Sequence, residues 1–148
     1  MLKVGDQLPK FEALNQDRET VSSEDYRGQK LIIFFYPQAS TPTCTVEACN
    51  LRDHFKELKN AGYSVLGISA DSVKKQKNFH TKNSLSYDLL ADESRDIIQQ
   101  FGVWQEKTTF GKTYMGILRK TFIFENGICV RVIDKVKSKE AAEQILAG

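Results

Sequence analysis

KLIIFFYPQASTPTCTVEAC, residues 30–49, joins an apolar run to a helix start and carries two of the three cysteines in the chain. Lys30 to Tyr36 has the length and β-rich composition of a buried strand. Thr41 followed by Pro42 reads as a helix N-cap with proline at the first helical position, which makes Cys44 the third residue of that helix. At that position, unpaired backbone N–H groups and the positive end of the helix dipole favour an anion. A thiol held there is expected to be partly thiolate, the form in which cysteine is a nucleophile.

Downstream of Cys44, residues Ala48, Leu51, Phe55 and Leu58 fall on one helical face, with Gly62 as the stop signal. At 100° per residue Cys44 lies over this stripe, whereas Cys49 is turned about 150° from its centre. The two thiols are therefore expected in different surroundings. Tyr63 to Ala70 reads as a second buried strand, followed by a polar helix from Val73 to Asn83 capped by Asp71 or Ser72. Tyr87 to Ala91 reads as a short strand, and Asp92 to Phe101 as a helix closed by Gly102. Val103 to Gly116 has no clear periodicity. Ile117 to Phe124 and Ile128 to Asp134 flank Asn126-Gly127, the dipeptide a type I′ hairpin turn prefers, and Ser138 to Leu146 forms a last helix. Upstream, Val4 to Val21 reads as a hairpin or extended lead-in turning at Asn15 to Arg18, and Ser22 or Ser23 caps one helical turn through Tyr26. This order predicts a single α/β domain over residues 1–148, with a mixed sheet flanked by helices that is compatible with a thioredoxin-like core. Pattern alone leaves other small α/β folds open.

At 148 residues and 41% hydrophobic content, the chain has enough apolar side chains to bury one core. Its net charge of +2 arises from 21 basic and 19 acidic residues without a basic stripe, so no nucleic-acid partner is expected. No apolar segment approaches the ~20 residues needed to cross a bilayer, and the N-terminus lacks a signal-peptide core, so neither membrane association nor export is expected. The expected location is cytoplasmic, where cysteines are reactive, metal-bound or buried more often than locked in a permanent disulfide.

The segment YPQASTPTCTVEACNLRD closely resembles the active-site segment of peroxiredoxins of the bacterioferritin comigratory protein type, also called the Q subfamily. Pro37, Thr41 and Cys44 match the Pro-x-x-x-Thr-x-x-Cys pattern, and Cys49 matches a second cysteine that this subfamily often carries. VGDQLPKF, GISADS, LLADE, FGVW and the run Arg119 to Phe122 follow in family order, so the resemblance spans nearly the whole chain. Two residues depart from it: Thr43 stands where glycine is usual, and Gln38 where lysine is common. A threonine at the second helical position is sterically acceptable, so activity is expected to survive with altered flexibility or access beside Cys44.

The resemblance implies a thioredoxin fold with an N-terminal extension, and a thiol-dependent peroxidase acting on hydrogen peroxide and organic hydroperoxides. It implies Cys44 as the peroxidatic residue and Cys49 as the resolving thiol of an intramolecular disulfide. It further implies Arg119 beside the thiolate, Thr41 as a peroxide ligand as well as or instead of a plain N-cap, and Pro37 and Thr43 at the substrate approach. Thioredoxin or a similar dithiol would recycle the enzyme, with no metal, haem or flavin, and the subfamily leans towards a monomer. Five residues apart on one helix, the thiols face different ways with Cα atoms about 8 to 9 Å apart, too far for a disulfide. Residues Thr41 to roughly Leu51 are therefore expected to change conformation on oxidation. Glu47 reads as an exposed helix glutamate or a partner for an arginine, Cys129 as a packed strand residue, and His54 and His80 as surface or satisfied histidines. A dithiol oxidoreductase of proteins is the nearest rival, but it calls for Cys-x-x-Cys and this pair has four residues between. A zinc module lacks a fourth convergent ligand, and a holdase chaperone would act without Cys44.

Overall fold

The computed structural model describes residues 1–148. Strands β1 (Glu12–Asn15), β2 (Thr20–Ser22), β3 (Lys30–Phe35), β4 (Tyr63–Ser69), β5 (Asp88–Ala91), β8 (Lys120–Glu125) and β9 (Ile128–Ile133) form one sheet in the order β2-β1-β5-β4-β3-β8-β9. Strands β3, β4 and β5 pair in parallel, whereas β1–β2, β1–β5, β3–β8 and β8–β9 pair antiparallel. The sheet is thus mixed, as expected, with antiparallel strands at both edges. Leu31 to Phe35 are fully shielded on both faces, which is why this central strand reads as a continuous apolar run.

Helices cover both faces. On one lie α1 (Pro42–Asp53), α2 (Phe55–Asn60), α3 (Val73–Lys82) and α5 (Ala141–Leu146), whose Ala48, Leu51, Leu58, Phe79 and Ile145 pack with Ile32, Phe34 and Tyr36. On the other, Ile97, Ile98 and Phe101 of α4 (Asp96–Gln100) and its exit pack with Leu31, Ile33 and Phe35. Gly67 in β4 allows this tight layering, since a Cβ there would come within 2.8 Å of both Leu89 and Phe34 side chains.

Several boundaries differ from the sequence expectation. The long helix after Cys44 is broken at His54, whose Nδ1 donates to the Asn50 carbonyl, so Phe55 and Leu58 belong to a separate short helix. Helix α4 begins at Asp96 rather than Asp92, because Asp92 folds its carboxylate back to accept from the Ile98 N–H and Arg95 takes a left-handed φ of 64°. Residues 104–117 form an antiparallel hairpin of their own, β6 (Trp104–Thr109) and β7 (Lys112–Ile117), turning at Phe110-Gly111 with both φ values positive. Most of it faces solvent on both sides, so it carries none of the apolar alternation that betrays a half-buried strand. The expected strand Ile117 to Phe124 is consequently split. Ile117 pairs with Trp104 in the small hairpin and Lys120 pairs with Phe35 in the main sheet, so the chain changes sheets at Leu118-Arg119. The Asn126-Gly127 turn forms as expected, with φ of 50° and 76°. No helix is long and apolar enough to cross a membrane.

Candidate active site

The end of β3 and the start of α1 are joined by Pro37 to Thr41. Asp71, at the end of β4, holds this loop by accepting from the Ala39 N–H at 2.7 Å, and Ser69 Oγ donates to the same carboxylate oxygen at 2.6 Å. Tyr36 is fully buried and donates to Gln76 Oε1, which fixes the loop entry to α3. Pro37 is half-buried at the turn. Ser40 adopts a left-handed φ of 65°, which turns the chain into the helix.

Thr41 occupies the N-cap position in extended geometry, with Pro42 first in the helix, but its hydroxyl makes no capping bond and instead donates to the Gln38 carbonyl at 2.9 Å. The first intrahelical bond runs from the Thr45 N–H to the Thr41 carbonyl, leaving the N–H groups of Thr43 and Cys44 without a carbonyl partner. Cys44 is only 2% exposed, so a reactant must be small or the first helical turn must give way. Thr43, in contrast, points outward and lines a groove of about 410 Å³ with Pro42, Val46 and residues 137–140. The departure from glycine therefore adds bulk on the solvent side of the turn and none beneath it.

Arg119 sits at the point where the chain changes sheets, and the same change of sheet delivers it to α1. Its Nη2 donates to Cys44 Sγ at 3.1 Å and its Nη1 to Glu47 Oε1 at 2.5 Å. Burial works against the guanidinium charge, but Glu47 and Cys44 more than offset it and hold Arg119 firmly protonated. Of its two expected readings Glu47 takes the partner of an arginine and not the exposed helix position: it has no exposed surface, and burial pushes its carboxyl up to about 7 despite the opposing pull of Arg119. Its Oε2 is buried with no hydrogen-bond partner.

Cys49 lies on the same unbroken helix, half-buried, with Sγ 3.6 Å from Asn83 Oδ1 of the α3 C-cap. The three cysteines are unpaired. Helix α1 is held unevenly. From Ala48 onward it is tied to its neighbours: Tyr87 donates to the Ala48 carbonyl, Asn50 bonds the Lys139 carbonyl and the Ala142 N–H, and Arg52 donates to the Asn83 carbonyl. His54 caps its end, donating to the Asn50 carbonyl and facing Glu143 at 3.0 Å, two contacts that raise its pKa. Before Ala48, only Arg119 reaches the helix from elsewhere through a side-chain hydrogen bond. Cys129 is a packed strand residue of the opposite core, its thiol pushed up by burial. Phe101 and Val103 are core residues. No three His, Cys, Asp or Glu side chains converge as metal ligands would.

The sequence model of the AhpC/TSA family matches residues 4–133. The chain is 46% identical over 146 residues to peroxiredoxin Bcp of Escherichia coli K12, covering 98% of this chain and 94% of that protein. It is 47% identical, over the same shares of both chains, to the putative peroxiredoxin bcp of Haemophilus influenzae. Among solved structures it is similar to the Xanthomonas campestris bacterioferritin comigratory protein, described for its alkyl peroxide reduction activity (TM-score 0.86, 33% identity, 93% of this chain and 88% of that one). It is also similar to the peroxidoxin BcpB of Mycobacterium tuberculosis (TM-score 0.87, 33% identity, 99% and 96%).

Proposed function

The chain belongs to the AhpC/TSA family, among peroxiredoxins of the bacterioferritin comigratory type, and from that premise we propose that it reduces hydrogen peroxide and organic hydroperoxides through Cys44. The observation that carries this reading is the Arg119 guanidinium 3.1 Å from Cys44 Sγ at the start of a helix. A cation and free first-turn N–H groups both favour a thiolate over a thiol. The thiolate attacks the nearer peroxide oxygen, the O–O bond breaks, and the departing oxygen leaves as water or an alcohol after taking up a proton. Cys44 is left as a sulfenic acid. The free N–H groups of Thr43 and Cys44 and the remaining edge N–H groups of the guanidinium are suited to the charge that develops on the departing oxygen. With its own proton committed to the Gln38 carbonyl, the Thr41 hydroxyl offers lone pairs and so orients the peroxide by accepting its O–H. Pro37 shapes the turn that sets this geometry, and Thr43 borders the approach from the groove.

Resolution follows when the Cys49 thiol displaces hydroxide from the sulfenic sulfur, giving a Cys44–Cys49 disulfide and water. Thioredoxin or a similar dithiol then reduces it, in a monomeric, cytoplasmic enzyme without a metal or organic cofactor. The anchors on α1 favour movement of Cys44 towards a stationary Cys49. Amide exchange in the disulfide form is expected to rise sharply over residues 42–47 and little over 48–53, narrower than the Thr41 to Leu51 span anticipated from helical spacing. Uniform protection along the helix in both redox states would count against this.

The test of the reading as a whole is stoichiometric. One equivalent of hydrogen peroxide added to reduced protein is expected to remove two hydrogens from the intact mass and two of the three thiols. The Cys49→Ser variant is expected to gain one oxygen instead, trapped as sulfenic acid, and to lose steady-state turnover with a dithiol. If Cys49→Ser cycles at the parent rate, an external thiol resolves Cys44 and Cys49 is a packing residue.

A further inference from the structure

We infer that Glu47 is a positioning residue that competes with the Cys44 thiolate for Arg119, so that ionising this thiol moves its proton onto the Glu47 carboxyl and not out to solvent. The inference rests on Cys44 being the reactive thiol. One guanidinium faces two groups, each able to carry a negative charge, through two separate nitrogens. Glu47 is wholly shielded, and Arg119 is its sole ion-pair partner. With both Glu47 and Cys44 ionised, the pocket would hold two anions against a single cation in a poorly solvated space. With only one ionised, the charges cancel.

Nothing packed around the pocket relieves this. Tyr36 and Tyr87 are buried and kept as neutral phenols by desolvation, each donating its proton elsewhere. The α5 side contributes Ala141, Ala142 and Ile145, all uncharged. Arg52 is engaged by Asp53 and the Asn83 carbonyl, and His54 by Glu143 at the far end of the helix. Asp71 is committed to Ser69 and the Ala39 N–H, while Lys137 and Lys139 are side chains of the outer groove.

The unpartnered Oε2 tilts the balance. A buried carboxylate oxygen with no donor carries the full cost of a stranded charge, whereas a neutral carboxylic acid in the same place strands only an O–H. The carboxyl titrating near neutrality is in keeping with this. The exchange conserves charge and atoms: the Cys44 S–H bond breaks, an O–H bond forms on Glu47, and Arg119 shifts its weight from the carboxylate to the thiolate. When peroxide consumes the thiolate, Arg119 returns to Glu47. The proton is then released, matching the one taken up by the departing oxygen.

The experiment needs no peroxide. In a Cys49→Ser/Cys129→Ser background, the ultraviolet absorbance of the thiolate is followed against pH with Glu47 present and with Glu47→Gln. An amide keeps the Oε1 acceptor for Arg119 but has no charge with which to compete, so the thiolate is expected to form in a single step in the variant, whereas in the parent, where one proton is shared between the two groups, it stops short of full thiolate near pH 7 and completes only as the second proton leaves at higher pH. Infrared spectra at pH 7 are expected to show the carbonyl stretch of a protonated carboxylic acid in the parent that weakens in Cys44→Ser, where no thiolate competes for Arg119, and that is lost in Glu47→Gln. A parent that reaches full thiolate in the same single step as the variant overturns the inference. Should Glu47→Gln fail to fold, the infrared comparison of the parent with Cys44→Ser decides alone, and a band that is absent or unchanged is equally fatal. A protein that passes these tests yet does not consume peroxide would sink the proposed function and leave the proton exchange standing.

Discussion

Peroxide consumption by the Cys44→Ser variant is expected to fall by at least about 10⁴-fold, to the rate seen without protein. A serine hydroxyl stays protonated at neutral pH, and neither the first turn of α1 nor the Arg119 guanidinium can bring its ionisation into reach. Oxygen is a smaller atom than sulfur and accepts well from Arg119 Nη2, so the pocket survives the change. Stability is expected to remain within about 1 kcal/mol of the parent. The two readouts belong together, because a loss of activity accompanied by unfolding would say nothing about the nucleophile. The chemical mass test described above, repeated on this variant, is expected to leave both remaining thiols reduced after one equivalent of peroxide. Continued peroxide consumption by a folded Cys44→Ser protein would overturn the assignment of the reactive thiol.

Arg119→Met is the second large effect, and it separates two consequences of one side chain. Removing a charged donor aimed at the reacting atoms is expected to slow peroxide reduction by about 10²- to 10³-fold. Removing the only partner of a buried carboxyl is expected to destabilise the fold as well, by up to about 3–5 kcal/mol where Glu47 must be ionised. The pH dependence follows from the direction of the shift. Burial already raises the Glu47 carboxyl above the ordinary 4.5, and loss of Arg119 raises it further. A carboxyl whose folded-state value is raised supports the fold fully below its unfolded value and loses that support as pH climbs, since the unfolded chain releases the proton first. The melting temperature of Arg119→Met is therefore expected to fall further below that of the parent at pH 8 than at pH 5. Arg119→Met/Glu47→Gln is expected to recover most of the stability and none of the rate. Equal destabilisation at both pH values would mean that Glu47 is not the group left stranded.

The strand and helix order at Lys30–Cys49 and the hairpin of β8 and β9 were legible because each carries its own local signal: a two-sided apolar run and a Thr-Pro helix start in the first, an Asn-Gly turn in the second. The hairpin at 104–117 was not, since strands that face solvent on both sides have no reason to alternate. Nor was the end of the long helix, where a histidine ring reaching back to the Asn50 carbonyl interrupts a face that looks continuous in projection. Thr41 was correctly expected at the N-cap position, but the direction of its hydroxyl depends on where the Gln38 carbonyl lies, and that is a property of the loop.

Glu47 is the residue most changed by the third dimension. Three positions after Cys44 on a helix with charged neighbours, it has the composition of a solvated face, and only the folded chain buries it against Arg119. The sequence by itself determined the layered α/β order, the position of Cys44 at a helix start and the opposed directions of Cys44 and Cys49, because these follow from periodicity and capping within a few residues. The family resemblance placed Arg119 beside Cys44, 75 residues away in sequence, but the tertiary structure alone decided that the same guanidinium also holds a wholly buried Glu47, and that α1 is anchored from Ala48 onward. Such pairings are set by which strands lie side by side and where the chain leaves one sheet for another, and no local pattern encodes that distance.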